Sequence, residues 1–89
     1  MLTVKFTRNF LKSYGNRIKQ NKKLKFQLEK RIELFKLDRN NSLLKDHDLV
    51  GREQGQRSFS ITGDIRVIYF FETDDIVWFV DVGSHNQVY

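Results

Sequence analysis

Leu2-Thr3-Val4-Lys5-Phe6-Thr7 places apolar side chains at 2, 4 and 6 and polar ones between them, the period of a half-buried strand. Thr7 is a suitable helix cap, and Phe10, Leu11, Tyr14 and Ile18 follow at helical spacing, with Gly15 weakening the middle of that helix. The polar stretch Lys19 to Lys23 contains a turn. Leu24, Leu28, Ile32 and Phe35 then recur at intervals of four, four and three, with Lys and Glu on the other side, which defines a second amphipathic helix ending near Leu37. The pattern predicts helices over about residues 8–19 and 22–37, an αα-hairpin able to lie on a sheet.

Asp38 to Ser42 is a polar exit loop, and Leu43 and Leu44 form a small apolar anchor. The second half carries strand signal throughout. Arg57 to Ile61 alternates, Gly63-Asp64 is a turn, Ile65 to Glu72 is an apolar and aromatic run broken only by Arg66, Thr73-Asp74-Asp75 turns again, and Ile76 to Val82 contains Trp78. Connections this short imply an antiparallel meander. Ile65 to Phe71 is apolar on both parities, so it belongs at the centre of the sheet, covered by the helices on one face and by something else on the other. The expected architecture is α+β: an antiparallel sheet of about four strands, with an N-terminal helix hairpin on one face. Gly51 and Gly55 read as loop geometry and Trp78 as packing.

With 89 residues, 39% of them hydrophobic and eight of them Phe, the chain suffices for one core and no more. The absence of cysteine excludes disulfides, thiolate metal sites and thiol catalysis. The start, Met1-Leu2-Thr3-Val4-Lys5, lacks a secretory pattern and no apolar run approaches a membrane span, so the expected location is cytoplasmic, with no membrane partner. The net charge of +5 conceals a polarity. Residues 1–45 hold thirteen basic and three acidic side chains, net +10, whereas residues 46–89 hold three and eight, net −5. A surface at +10 attracts polyanions, so nucleic acid, ribosome or an acidic protein are the natural partners; a solvated helical face is the plain alternative.

There is no Gly-rich phosphate loop and no nucleophile elbow. Asp46-His47-Asp48 makes a poor metal site, because neighbouring side chains on an extended segment point to different sides. Neither a metal nor a cofactor is expected. The two histidines, His47 and His85, flank the meander and can meet across it. Two imidazoles on one phosphodiester suffice to cut RNA without metal: one takes the proton of the 2′-hydroxyl, and the other protonates the departing 5′-oxygen. Arg57 or Arg66 would stabilise the charge gathering on phosphorus, and Tyr89 would stack on a base. On spacing alone, two isolated histidines read equally as surface or capping residues.

The order Asp46-His47-x-Leu49-x-Gly51, Arg57, Asp64-x-x-x-Ile68-Tyr69 and Gly83-Ser84-His85, with Tyr89 four residues on, resembles the RelE family of bacterial type II toxins, and within it most closely the YafQ branch. The resemblance spans the chain in order and implies a single RelE-like domain over residues 1–89. It further implies an endoribonuclease that cleaves messenger RNA on the ribosome and is neutralised by a cognate antitoxin. It places His47, Asp64, His85 and Tyr89 at catalytic or substrate-contacting positions. Asp64 would orient a histidine, or else satisfy turn amides. One departure stands out: the YafQ-like pattern carries a further histidine where this chain has Ser60. A ParE-like toxin acting on gyrase, a decayed toxin that only binds its antitoxin, and a plain basic binding module are the competing readings.

Overall fold

Thr7 both ends the first strand and starts the first helix. Its side-chain oxygen accepts from the Phe10 amide at 3.0 Å while its hydroxyl donates to the Val80 carbonyl at 3.1 Å, so the cap also docks the helix on the last strand. The computed structural model describes residues 2–49 and 55–89. Strand β1 (Thr3–Phe6) leads into α1 (Arg8–Arg17) and α2 (Lys22–Leu37), the latter capped by the Asn21 side chain. A short 3-10 turn over Ser42–Leu44 precedes β2 (His47–Asp48), β3 (Arg57–Ser60), β4 (Ile65–Phe71), β5 (Ile76–Ser84) and the four-residue α3 (His85–Val88).

The fold is α+β, with the helix hairpin and the central position of β4 as expected. The sheet, however, is mixed and five-stranded, in the order β1-β5-β4-β3-β2. The antiparallel meander holds for β3, β4 and β5, but β1 runs parallel to β5, pairing Thr3 with Ile76 and Phe6 with Phe79. Tight turns dictate the direction of the meander. The first strand is joined to the sheet only through the hairpin, so its direction follows from the edge left free, which alternation does not encode. The fifth strand is β2, where His47 lies opposite Ser58 and Asp48 opposite Arg57. Of the Leu43-Leu44 anchor only Leu44 is buried.

The core is an aromatic stack between the helices and one sheet face. The Phe35 ring of α2 lies 4.7 Å from that of Phe59, 4.9 Å from Tyr69 and 5.7 Å from Phe79, within the range of favourable ring pairs. Phe10 of α1 meets Phe79 and Phe6. Between Ile68 and Tyr69 the pairing with β5 slips by one residue, from Asp81 to Phe79. This bulge leaves Val80 unpaired on its strand and lets both Phe79 and Val82 enter the core. The Val80 carbonyl takes bonds from Thr7 and from the Asn9 amide at 2.9 Å.

Phe35 is fully buried, whereas Leu37, two residues on, is 85% exposed. Phe35→Ala is therefore expected to lower unfolding free energy by about 3–5 kcal/mol, and Leu37→Ala to change it by less than about 0.5 kcal/mol, as urea denaturation would measure.

Candidate active site

Alternation along the central strands divides their side chains between two surfaces. Phe59, Val67 and Tyr69 face the helices; Ser58, Ser60, Arg66 and Ile68 face away. Ser58 and Ile68 are nonetheless buried, because α3 folds back against β4 and β5. Gln87 fastens the start of this turn by accepting from the Ser84 amide at 2.7 Å. Its end is fastened by Tyr89, whose hydroxyl donates to Ser58 Oγ at 2.6 Å. The His85 ring meets the Tyr89 ring edge-on, 4.5 Å between centroids and 89° between planes.

His47 approaches Ser58 from the other side, as its cross-strand partner. Lys45 holds left-handed backbone at φ 50 and turns its carbonyl to His47 Nδ1 at 2.9 Å. A carbonyl only accepts, so Nδ1 carries the proton of this bond, and the tautomer it selects has Nε2 as its acceptor. His47 is thus the cross-strand neighbour of Ser58, His85 is linked to the same serine through Tyr89, and both imidazoles are exposed to solvent. Asp64 lies in the exposed β3–β4 turn, where its amide donates to Thr62 Oγ1 at 3.3 Å. The next residue, Ile65, pairs with Ser84, the residue before His85. Among the described residues the Asp64 carboxylate has no ion-pair partner. Arg66 sits opposite both Ser60 and Gly83. The Ser60 hydroxyl is committed to the Thr62 carbonyl.

Arg57 does not join this group. It shares the helix-facing side with Tyr69, and its Nε donates to Asp46 at 2.9 Å and to the Tyr69 hydroxyl at 3.3 Å, while a terminal nitrogen reaches Asp48 at 2.6 Å. Partial burial works against the cation, but hydrogen bonds to Tyr69 and Asp46 and the Asp46 charge outweigh it, so its pKa is raised. Arg39 stands 3.9 Å from the same Asp46, which is 9% exposed, and Tyr69 donates its hydroxyl to that carboxylate. Burial, aided by the Asp46 bond and opposed by hydrogen bonds from Arg39 and Arg57, pushes the Tyr69 phenol up to about 12. Sequence reasoning missed this network. Its signal was Asp46 itself, the acidic neighbour of His47 at the end of a basic half of the chain. Gly51 of the motif lies outside the described residues. Among those residues no group of three or more His, Asp or Glu is placed to hold a metal, and no helix is long and apolar enough to cross a membrane.

A profile of the bacterial toxin of type II toxin-antitoxin systems, YafQ, matches residues 2–89. The chain belongs to the YafQ family. The structure of YafQ in the Escherichia coli DinJ–YafQ complex superposes with a TM-score of 0.81 at 22% identity, covering 100% of this chain and 99% of that one. A metal-bound toxin from Helicobacter pylori gives 0.81 at 25% identity, covering 100% of both. The YoeB/ParE toxin of Agrobacterium tumefaciens gives 0.78 at 18%, covering 94% and 99%. A sequence comparison with curated proteins finds no match. The YafQ-family assignment and the RelE-like fold rest on these likenesses.

Two outcomes test the geometry. A phenol whose folded pKa is raised favours the folded state fully below its unfolded value of about 10, and that contribution is lost as pH rises toward about 12. Unfolding free energy should therefore fall across this window, and Tyr69→Phe should remove that part of the fall in denaturation curves taken at successive pH values. Tyr89→Phe and Ser58→Ala should each cost about 0.5–1.5 kcal/mol, with the double variant little worse than either single one.

Proposed function

We propose that this YafQ-family chain is a ribosome-dependent endoribonuclease that cleaves messenger RNA by attack of a 2′-hydroxyl on the adjacent phosphorus. The observation that supports the reading is the pair of exposed imidazoles, His47 opposite Ser58 and His85 against Tyr89, whose hydroxyl reaches the same serine. His47, with Nδ1 held by the Lys45 carbonyl, takes the proton of the 2′-hydroxyl at Nε2. The new 2′-oxygen–phosphorus bond forms as the bond from phosphorus to the 5′-oxygen breaks. His85 gives its proton to that leaving oxygen. Arg66 supplies the charge that stabilises the non-bridging oxygens, since Arg57 is spent on Asp46 and Asp48. Tyr89 stacks on a base, and Asp64, the residue before the Ile65 that pairs with Ser84, orients His85.

The reaction places the toxin in the cytoplasm with the ribosome, to which the lysines and arginines of α1 and α2 offer a basic outer surface. The same surface suits an acidic antitoxin, as the E. coli homologue is found in a complex with DinJ. A general acid or base is worth about 10²–10⁴-fold. His85→Gln and His47→Ala should each lower codon-phased cleavage in a translating extract by about 10²-fold or more, while ribosome binding persists. The products should be a 2′,3′-cyclic or 3′-phosphate and a 5′-hydroxyl, and EDTA should leave single-turnover cleavage unchanged on intact ribosomes. Full activity of the double histidine variant, or products bearing a 5′-phosphate, would overturn the mechanism. DNA breaks dependent on gyrase, with mRNA intact, would favour the ParE-like reading instead.

A further inference from the structure

Gly83 opens the Gly-Ser-His segment, and the space above its α-carbon is occupied. A Cβ built there would lie 2.8 Å from a terminal nitrogen of Arg17 and 3.1 Å from its Cδ, with Gln87 Oε1 at 2.7 Å. Arg17 stands at the end of α1, and its side chain reaches β5 where β1 no longer covers it. There one terminal nitrogen donates to the Val82 carbonyl at 3.1 Å and lies 3.4 Å from Asp81. The cross-strand partner of Gly83 is Arg66. Directly opposed residues on antiparallel strands project to the same face with Cβ atoms about 4.5–5.5 Å apart. The Arg66 side chain therefore rises from the patch of sheet that the Arg17 guanidinium reaches, one residue before the Ser84–His85 step.

Among the described residues neither arginine has all its donors satisfied. Arg66 Nε is buried and has no hydrogen-bond partner among the described residues, a costly arrangement until an acceptor reaches it. Arg17 spends a single nitrogen, on Val82 and Asp81, leaving Nε and its second terminal nitrogen without a partner among the described residues. Asp81 is the one carboxylate paired here, at 21% exposure and a long 3.4 Å, and its Oδ1 already accepts from the Val82 amide at 2.8 Å. Two cations with unspent planar donors and one weakly engaged anion match a phosphate group, which accepts forked hydrogen bonds.

We propose that Arg17 and Arg66 form a two-guanidinium clamp for a backbone phosphate of single-stranded RNA, with Gly83 kept free of a side chain to seat Arg17. The clamp rests on the RNA-cleavage reading for the identity of its ligand and adds to it an arginine from the first helix. It fixes the strand beside His85 in one register.

Binding of a short, fluorescently labelled, 2′-O-methylated oligoribonucleotide tests this without cleavage. Arg17→Gln and Arg66→Gln should each weaken it about tenfold or more, the loss of a charge-assisted bond. The slope of log affinity on log salt should become shallower by about 0.7 for each phosphate no longer neutralised. Lys25→Gln, on the outer face of α2, should weaken binding much less. Gly83→Ala leaves both charges in place and should weaken binding by displacing Arg17, while circular dichroism reports the fold intact. No binding by the wild type, or equal losses for Arg17→Gln and Lys25→Gln, would overturn the clamp. Tight binding that depends on both arginines, with no mRNA cleavage on ribosomes, would keep the clamp and reject the nuclease.

Discussion

The hydrogen bond from Tyr69 to Asp46 joins the two parts of the molecule that have least else in common. The ring of Tyr69 belongs to the aromatic core, edge-on to Phe35 and beside Phe59 and Phe79. Its hydroxyl reaches out of that core to the carboxylate from which β2 begins. Asp46 is nearly buried, and a buried anion is tolerable only when paired and hydrogen-bonded. Arg57 and Arg39 complete its shell. Breaking one partner leaves a charge stranded, so the network favours a single position for the chain at residue 46. The next residue is His47. A two-residue edge strand has few ladder bonds of its own, and its position opposite Ser58 therefore depends on side-chain chemistry that belongs to the core.

The bulge at Val80 performs the corresponding service for the other histidine. Without it, the period of two would send either Phe79 or Val82 to the wrong face. With it, both pack under the helices and the strand still delivers Gly83, Ser84 and His85 to the end of β4. The helices cover one side, and the candidate site lies on the other. Among the described residues that side is closed by the four residues of α3 and by Tyr89. Core packing and the candidate site are thus separated by the pleat, and residues one apart in sequence, such as Arg57 and Ser58, face different surroundings.

What is legible in the sequence follows the same division. Alternation in β1, the intervals of Leu24, Leu28, Ile32 and Phe35, and the short turns of the meander are local patterns, and the structure bears them out. The parallel pairing of β1 is not legible, because side-chain alternation is the same in either direction. Spacing leaves Arg57 free for transition-state charge, yet its partners Asp46, Asp48 and Tyr69 lie 9 to 12 residues away, a distance at which spacing says nothing. Arg17 escapes notice for the same reason: its bonds to β5 span 64 and 65 residues. The sequence offers Tyr89 for its ring alone, and the bond to Ser58, 31 residues distant, gives its hydroxyl a structural task as well. His47 and His85 are legible as a pair only because so few groups in the chain can move a proton near neutral pH.

Both imidazoles are exposed, and among the described residues the cover over Ser58 is a single helical turn with Tyr89. Such a surface excludes little water and cannot by itself hold a flexible RNA strand with its 2′-oxygen in line for attack. Orientation is worth many powers of ten in rate, and a chain whose described pocket lies between the helices and β1, away from the histidines, would obtain it from outside. On the proposed reading, the ribosome holds the message and the toxin brings proton transfer and charge. The charge polarity of the chain fits that division: most of its excess positive charge is carried by the helix hairpin and its flanking loops, across the sheet from the histidines. Long-range attraction to ribosomal RNA is then handled by one face and local phosphate binding by the other. A docking surface so separated from the reacting groups can be blocked by an acidic partner without that partner touching either histidine.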